Sequence, residues 1–190
     1  MSVLIESQLR ARARRATSAY KSATNVLMDH VQKQAGEAGH HIFLSHAYDD
    51  RELILGVALS IEDLGYSVYL DWRDDPSLDR TNVTPQTAAT LRERMTASRC
   101  LFFSTTLHAS ESKWMPWELG FKDGHNSRVA ILPVSLHDTD AYQGAQYLGI
   151  YPYVTKDFNQ QQEMRLWIQR SSTCYVVFEQ WLDGKEPIGR

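Results

Sequence analysis

The stretch "HIFLSHAYDDRELILGVALSIEDLGYSVYLDW", residues 41–72, sets a helical segment between two short apolar runs. "HIFLSHA" (41–47) and "YSVYLDW" (66–72) are rich in β-branched and aromatic residues and read as strands. "ELILGVALSIEDLG" (52–65) reads as a helix stopped by Gly65. Strand, helix and strand joined by short connections form a parallel βαβ unit, and the pattern continues downstream. A polar loop, "RDDPSLDRTNV" (73–83), leads into the helix "TPQTAATLRERMTAS" (84–98), with Thr84 as N-cap and Pro85 at the first position. "RCLFFST" (99–105) is a third strand, "MPWELGFKDG" (115–124) a short helix closed by Gly124, and "RVAILPVSL" (128–136) a fourth strand. The strands are continuous apolar runs, as expected where helices cover both faces of a sheet. The fold class is therefore α/β, a doubly wound parallel sheet. In such sheets ligands collect beyond the carboxyl ends of the strands, which singles out Ser45, His46 and Tyr48, Asp71 and Trp72, and Ser104 and Thr105.

The two ends of the chain are less regular. Leu4, Leu9, Ala16, Tyr20, Ala23, Leu27 and Val31 recur near helical spacing, so residues 3–35 read as one amphipathic helix, followed by the glycine-containing linker "AGEAGH" (35–40). The expected organisation is an N-terminal helical extension over 1–38 and a domain over 39–190 with a helical tail. Within that tail, "YLGIYPYV" (147–154) reads as a fifth strand interrupted by Pro152, and "NQQQEMRLWIQRS" (159–171) as a helix. "CYVVFEQWL" (174–182) fits helix and strand equally.

Composition narrows the function classes. The chain has 190 residues, 43% of them hydrophobic and 23% charged, enough to bury a sizeable core. A net charge of −3 argues against a dedicated nucleic-acid binder, and no apolar run reaches the length of a membrane span. Cys100 and Cys174 make no disulfide framework and no metal-type spacing, which fits a reducing cytoplasm. The histidines never fall at i, i+4 on a helix, so no metal site is expected, and the acid pairs Asp49–Asp50 and Asp74–Asp75 lie in turns. Signatures of serine hydrolases, phosphate-binding loops, dinucleotide-binding turns and zinc proteases are missing.

What remains is a carboxylate beside aromatics in "SESKWMPWELGF" (110–121). With Pro116 opening the helix, Glu118 falls at its third position, where a glutamate caps the chain. Trp114 and Glu118 are four apart and share a face, while Trp117 points into the core. A single carboxylate does not suffice for ordinary glycoside hydrolysis, which needs a second. It does suffice where the leaving group departs without protonation. Nicotinamide leaving NAD⁺ is such a group, because its pyridinium becomes neutral as the bond breaks.

From about His41 to Leu136 the chain resembles a bacterial TIR (Toll/interleukin-1 receptor) domain. "IFLSHAYDD" is similar to the first-strand box of that family, and "GYSVYLDWRDDP" to the second strand entering the BB loop. "RCLFFSTTLHASESKWMPWEL" is similar to the box that carries Ser-x-Trp-x-x-x-Glu. The resemblance implies a flavodoxin-like sheet of about five parallel strands and cleavage of NAD⁺ to ADP-ribose or a cyclised or conjugated product. By position it implies Glu118 as the catalytic glutamate. Ser45, His46, Asp71, Trp72, Arg73 and Trp114 become substrate-binding residues, with NAD⁺ as substrate and no separate cofactor. It further implies homo-oligomers through TIR–TIR contacts and a role like the signal-producing component of Thoeris-type antiphage defence, whose product addresses a separate effector. Pro116 inside the tryptophan–glutamate motif departs from the family pattern, as does Ala47-Tyr48, where many members carry a basic residue. The competing expectation is a non-catalytic adaptor in which Glu118 only caps its helix.

Overall fold

The computed structural model describes residues 1–20, 39–137, 142 and 146–189. Its centre is the βαβ unit read from residues 41–72. Strand β2 (Ile42–Ser45) leads through a 3₁₀ turn at Tyr48–Asp50 into α2 (Arg51–Glu62), which returns the chain to β3 (Val68–Tyr69). The turn after α2 ends on Gly65 at φ +91°, a backbone conformation that L side chains rarely adopt. The second strand is shorter than its apolar run suggests, because Asp71–Asp74 winds into a helical turn, α3. Helix α4 (Pro85–Ala97) begins as expected, with Thr84 Oγ1 accepting from the Thr87 N–H. Then follow β4 (Cys100–Thr105), α5 (Trp114–Asn126), β5 (Val129–Ser135) and β6 (Tyr153–Phe158), which starts directly after Pro152.

Strands β3, β2, β4, β5 and β6 lie side by side and parallel in that order. Counted along the chain from β2, this is the 2-1-3-4-5 order of flavodoxin-like sheets. The crossovers leave β2 toward opposite sides, so the carboxyl ends of β2 and β4 flank the point where a crevice opens. Successive strand residues face two cores. Ile42, Leu44, Phe102, Ala130 and Leu132 pack with α2. Phe43, Leu101, Phe103, Val129 and Ile131 pack with Leu91 and Met95 of α4 and Met115 and Leu119 of α5.

Both ends of the chain join this sheet in ways that their sequences did not suggest. Residues 4–5 are not the start of a helix but a strand, β1 (Leu4–Ile5), paired in parallel with Val134 and Ser135 of β5. Ser2 exchanges backbone hydrogen bonds with Lys156 of β6, so β1 fills the gap where β5 and β6 diverge. Helix α1 (Glu6–Tyr20) then crosses α2 at Gly56, where an added Cβ would lie 2.0 Å from the Leu9 carbonyl oxygen. Only glycine permits that approach. Leu4 and Leu9 belong to the same core as α2. The rest of the predicted 3–35 helix and most of the linker lie outside the described residues.

The tail is mainly strand. The helix expected over 159–171 is instead β7 (Met164–Ser171), antiparallel to β6, preceded by a turn with Gln162 at φ +62°. Leu166 and Ile168 are buried at alternate positions, the period of a strand, with the half-buried Trp167 between them. "CYVVFEQWL" divides: Cys174–Val177 is β8 and Phe178–Leu182 is the short helix α6. Strand β9 (Ile188–Gly189) completes the sheet. No helix among the described residues is long and apolar enough to cross a membrane.

Candidate active site

Helix α5 presents Met115, Glu118, Leu119 and Lys122 to the interior at helical spacing. Two ionisable residues thus sit on a stripe that should be apolar, and each needs partners. Lys122 finds them in the Met95 and Ser98 carbonyls at 2.7 and 2.5 Å, at the C-terminal end of α4 where a cation is favoured. Glu118 finds a different set. Its Oε2 accepts from Ser45 Oγ at 2.6 Å, and its Oε1 takes Arg80 Nη2 at 2.5 Å. Its side chain is 0% exposed.

Helix α5 starts at Trp114, two residues before Pro116. Glu118 therefore lies in the second turn and caps nothing, against the local expectation. Pro116 occupies the third helical position, whose N–H has no acceptor within the helix, so the proline removes no hydrogen bond. Ser112 Oγ accepts from the Met115 N–H instead. Trp117 is only half-buried, in an aromatic row with Trp114 and Phe121 and with Arg92 over its ring.

Arg80 links Glu118 to the loop that follows β3. Its Nη1 donates to Asp71 Oδ2 at 2.7 Å, so one guanidinium bridges two carboxylates. Its own carbonyl accepts from the Trp114 indole N–H at 2.8 Å. Behind Asp71 stands His46, fully buried, with Nδ1 against the Leu44 carbonyl at 2.8 Å and Nε2 against the Trp72 indole N–H at 3.2 Å. A carbonyl only accepts and an indole only donates, which assigns the proton to Nδ1 and makes the ring neutral. Burial lowers its pKa, in accord with that tautomer.

Burial likewise raises the pKa of Glu118, and the Arg80 charge and the Ser45 hydrogen bond oppose the rise. Burial also works against ionised Asp71, but the Arg80 ion pair and the Trp72 amide outweigh it, leaving its pKa below the usual value. With His46 neutral, the guanidinium carries most of that stabilisation. The result is a dry cluster at the switch point of the sheet: Ser45, His46, Asp71, Arg80 and Glu118. A carboxylate held this way serves a developing positive charge, since no water competes with it.

Of the residues picked out from sequence, Glu118, Ser45, His46, Asp71 and Trp72 converge here, and Trp114 joins through Arg80. Arg73 does not. It turns away to Glu62 Oε1 at 2.8 Å, to Asp74 and to the Val68 carbonyl, and so fastens α3 to the end of α2. Arg80 was missed: a lone arginine in an acidic loop carries no local mark, and its partner Glu118 lies 38 residues away. Beside the cluster a cavity of about 240 Å³ is lined by Tyr48, Trp72, Pro76, Leu78 and Arg80 among others.

No family model matches the chain. Two curated proteins are similar to it. "Probable 3' cyclic ADP-D-ribose synthase ThsB'" of Bacillus cereus (strain MSX-D12) is 46% identical over 166 residues, covering 85% of each chain. "Putative cyclic ADP-D-ribose synthase TIR2" of Cytobacillus dafuensis is 31% identical over 83 residues, 43% of this chain and 22% of the relative. A match over 85% of the chain takes in both the loop with Arg80 and the helix with Glu118, and the chain belongs to the bacterial TIR proteins of the ThsB' kind found in Thoeris systems.

Proposed function

We propose that this protein cleaves the nicotinamide–ribose bond of NAD⁺ and closes the remaining ADP-ribose into a cyclic signalling molecule for antiphage defence. The observation that carries the reading is the fully buried Glu118 carboxylate, held against a cation at the crevice of the sheet. In the reaction the C–N bond breaks and its electron pair goes to nicotinamide, which leaves neutral and needs no acid. The ribose is left oxocarbenium-like, and the Glu118 carboxylate stabilises that charge. A hydroxyl of the same molecule then bonds to the anomeric carbon and releases its proton to solvent, so that NAD⁺ becomes nicotinamide, a cyclic ADP-ribose and one proton with no change of oxidation state. Ser45 orients Glu118, while Asp71, His46, Trp72 and Trp114 shape the loop side of the pocket. Copies of the domain assemble to act, and a separate effector protein receives the product.

Incubation with NAD⁺, followed by mass spectrometry of the products, tests this. Wild type releases nicotinamide and a cyclic ADP-ribose. Glu118→Gln, still folded by thermal denaturation, slows release by about a hundredfold or more. The reading fails if concentrated wild-type protein consumes no NAD⁺, or if Glu118→Gln matches it.

A further inference from the structure

We propose that the space between Asp71 and Glu118 is a cation subsite, and that Arg80 is its resident occupant, competing with the positively charged nicotinamide–ribose end of NAD⁺. The proposal rests on the NAD⁺-cleaving reading and adds how that site is kept shut.

Three features set Arg80 apart from an ordinary structural ion pair. The first is its origin. Asp71 heads α3 directly after β3, Ser45 ends β2 and Glu118 lies within α5, whereas Arg80 comes from the loop beyond α3. Loops move at little cost, and among the described residues the bond to the Arg80 carbonyl comes from the Trp114 indole. The second is its partners. Lys122, the other buried cation near α5, is satisfied by neutral carbonyls alone, as a structural cation can be. Arg80, like Arg73, binds two carboxylates at once, but one of its two is Glu118, the carboxylate that the reaction needs free, whereas Glu62 and Asp74 serve only the fold. The third is space. With Arg80 in place Glu118 is fully covered, and the neighbouring 240 Å³ falls below the range of pockets that take drug-sized ligands. The dinucleotide reaches Glu118 only after the guanidinium has left.

Removing the guanidinium leaves two carboxylates facing one another, so whatever replaces it carries positive charge. The pyridinium of NAD⁺ does, and so does the oxocarbenium-like ribose formed from it. NADH, whose nicotinamide is neutral, does not. The same electrostatics thus select the substrate and hold the latch, and any interaction that draws the loop away turns the enzyme on by population shift.

Arg80→Ala and Arg80→Gln test the proposal, with Arg80→Lys as the conservative control. Both neutral variants raise NAD⁺ cleavage over wild type by at least about tenfold, the effect of removing a closed state that dominates by that factor, and Arg80→Lys, which keeps a cation between the carboxylates, rises less than either. Millimolar guanidinium, against an equal concentration of sodium chloride, inhibits Arg80→Ala competitively with NAD⁺, raises its unfolding temperature and leaves wild type unaffected. NADH does not compete. If Arg80→Ala is too unstable to assay, Arg80→Gln carries the rate comparison. The proposal is overturned if the folded neutral variants cleave no faster than wild type, or if guanidinium leaves Arg80→Ala unchanged. If no form cleaves NAD⁺, calorimetric titration separates the two readings. Tenfold tighter binding by Arg80→Gln keeps the subsite and sinks the cleavage reading; equal or weaker binding sinks the subsite.

Discussion

Arg73 and Arg80 stand at the two ends of one loop and do opposite things. Arg73 reaches back to Glu62, Asp74 and the Val68 carbonyl, all close to its own turn, and its side chain is 13% exposed. Arg80 also reaches back, to Asp71, but its second bond crosses to Glu118 on another element, 38 residues away. The front of the loop is thereby riveted to the scaffold, while the back is held by charges that belong to the site. One arginine keeps a fold, the other keeps a state. A residue type and a loop address do not distinguish the two; the partners do.

The largest effect that would break this comparison concerns the front. Arg73→Ala removes one member of a largely buried ion cluster and should cost about 3 kcal/mol, a fall in melting temperature of roughly 10 °C. The activity of the protein that remains folded should hardly change. If Arg73→Ala instead activates NAD⁺ cleavage as Arg80→Ala does, the division of the loop is wrong.

A smaller effect links the two ends through His46, which faces Asp71 and Arg80, with Asp50 farther off. Its folded pKa lies below the unfolded value of about 6.5. The unfolded chain therefore takes up a proton as pH falls through 6.5, while the folded protein does not until lower pH. Stability falls in that window, by at most about 1.4 kcal/mol per pH unit. Glu118, whose folded pKa is raised, contributes the opposite slope above its unfolded value, so the comparison has to be made between variants. His40, also held below its ordinary pKa, acts alike in both proteins, so urea midpoints measured from pH 7 downward for wild type and His46→Gln should converge as acid destabilises the former more; parallel curves would show that His46 is not held neutral.

The smallest effect sharpens the back of the loop. Trp114→Phe keeps the ring and deletes the hydrogen bond to the Arg80 carbonyl, worth about 1 kcal/mol, or roughly fivefold in the closed population. NAD⁺ cleavage should rise by up to that factor in the wild-type background and not at all in Arg80→Ala. A gain in both backgrounds would place Trp114 outside the latch.

Most of the parallel sheet was legible because its strands are buried on both faces and read as unbroken apolar runs. The residues beyond their carboxyl ends followed, and with them Ser45, His46, Asp71 and Trp72. Strand β7 looks helical in sequence because Gln, Glu and Arg around Met164, Leu166 and Ile168 give helix-like composition to a two-residue period. Pro116 points to a helix start that would make Glu118 a cap, whereas Ser112, accepting from the Met115 N–H, lets the helix begin at Trp114. Arg80 was illegible for a different reason. Its role exists only when β3, α5 and the loop have met, and no window of sequence contains all three.

The slot that β1 fills has a consequence for how the chain is made. Ser2 bonds to Lys156, so 154 residues of synthesis separate the two sides of one hydrogen-bonded ladder. At ribosomal speeds that is about ten seconds or more during which Ser2 lacks its partner, and Leu4 and Ile5 wait nearly as long for Val134 and Ser135. The edge of β5 that receives them is likewise open when it forms. The emerging chain therefore carries a matched strand and groove at once, and a neighbouring nascent copy on the same message offers each of them the same partner that its own chain will offer later.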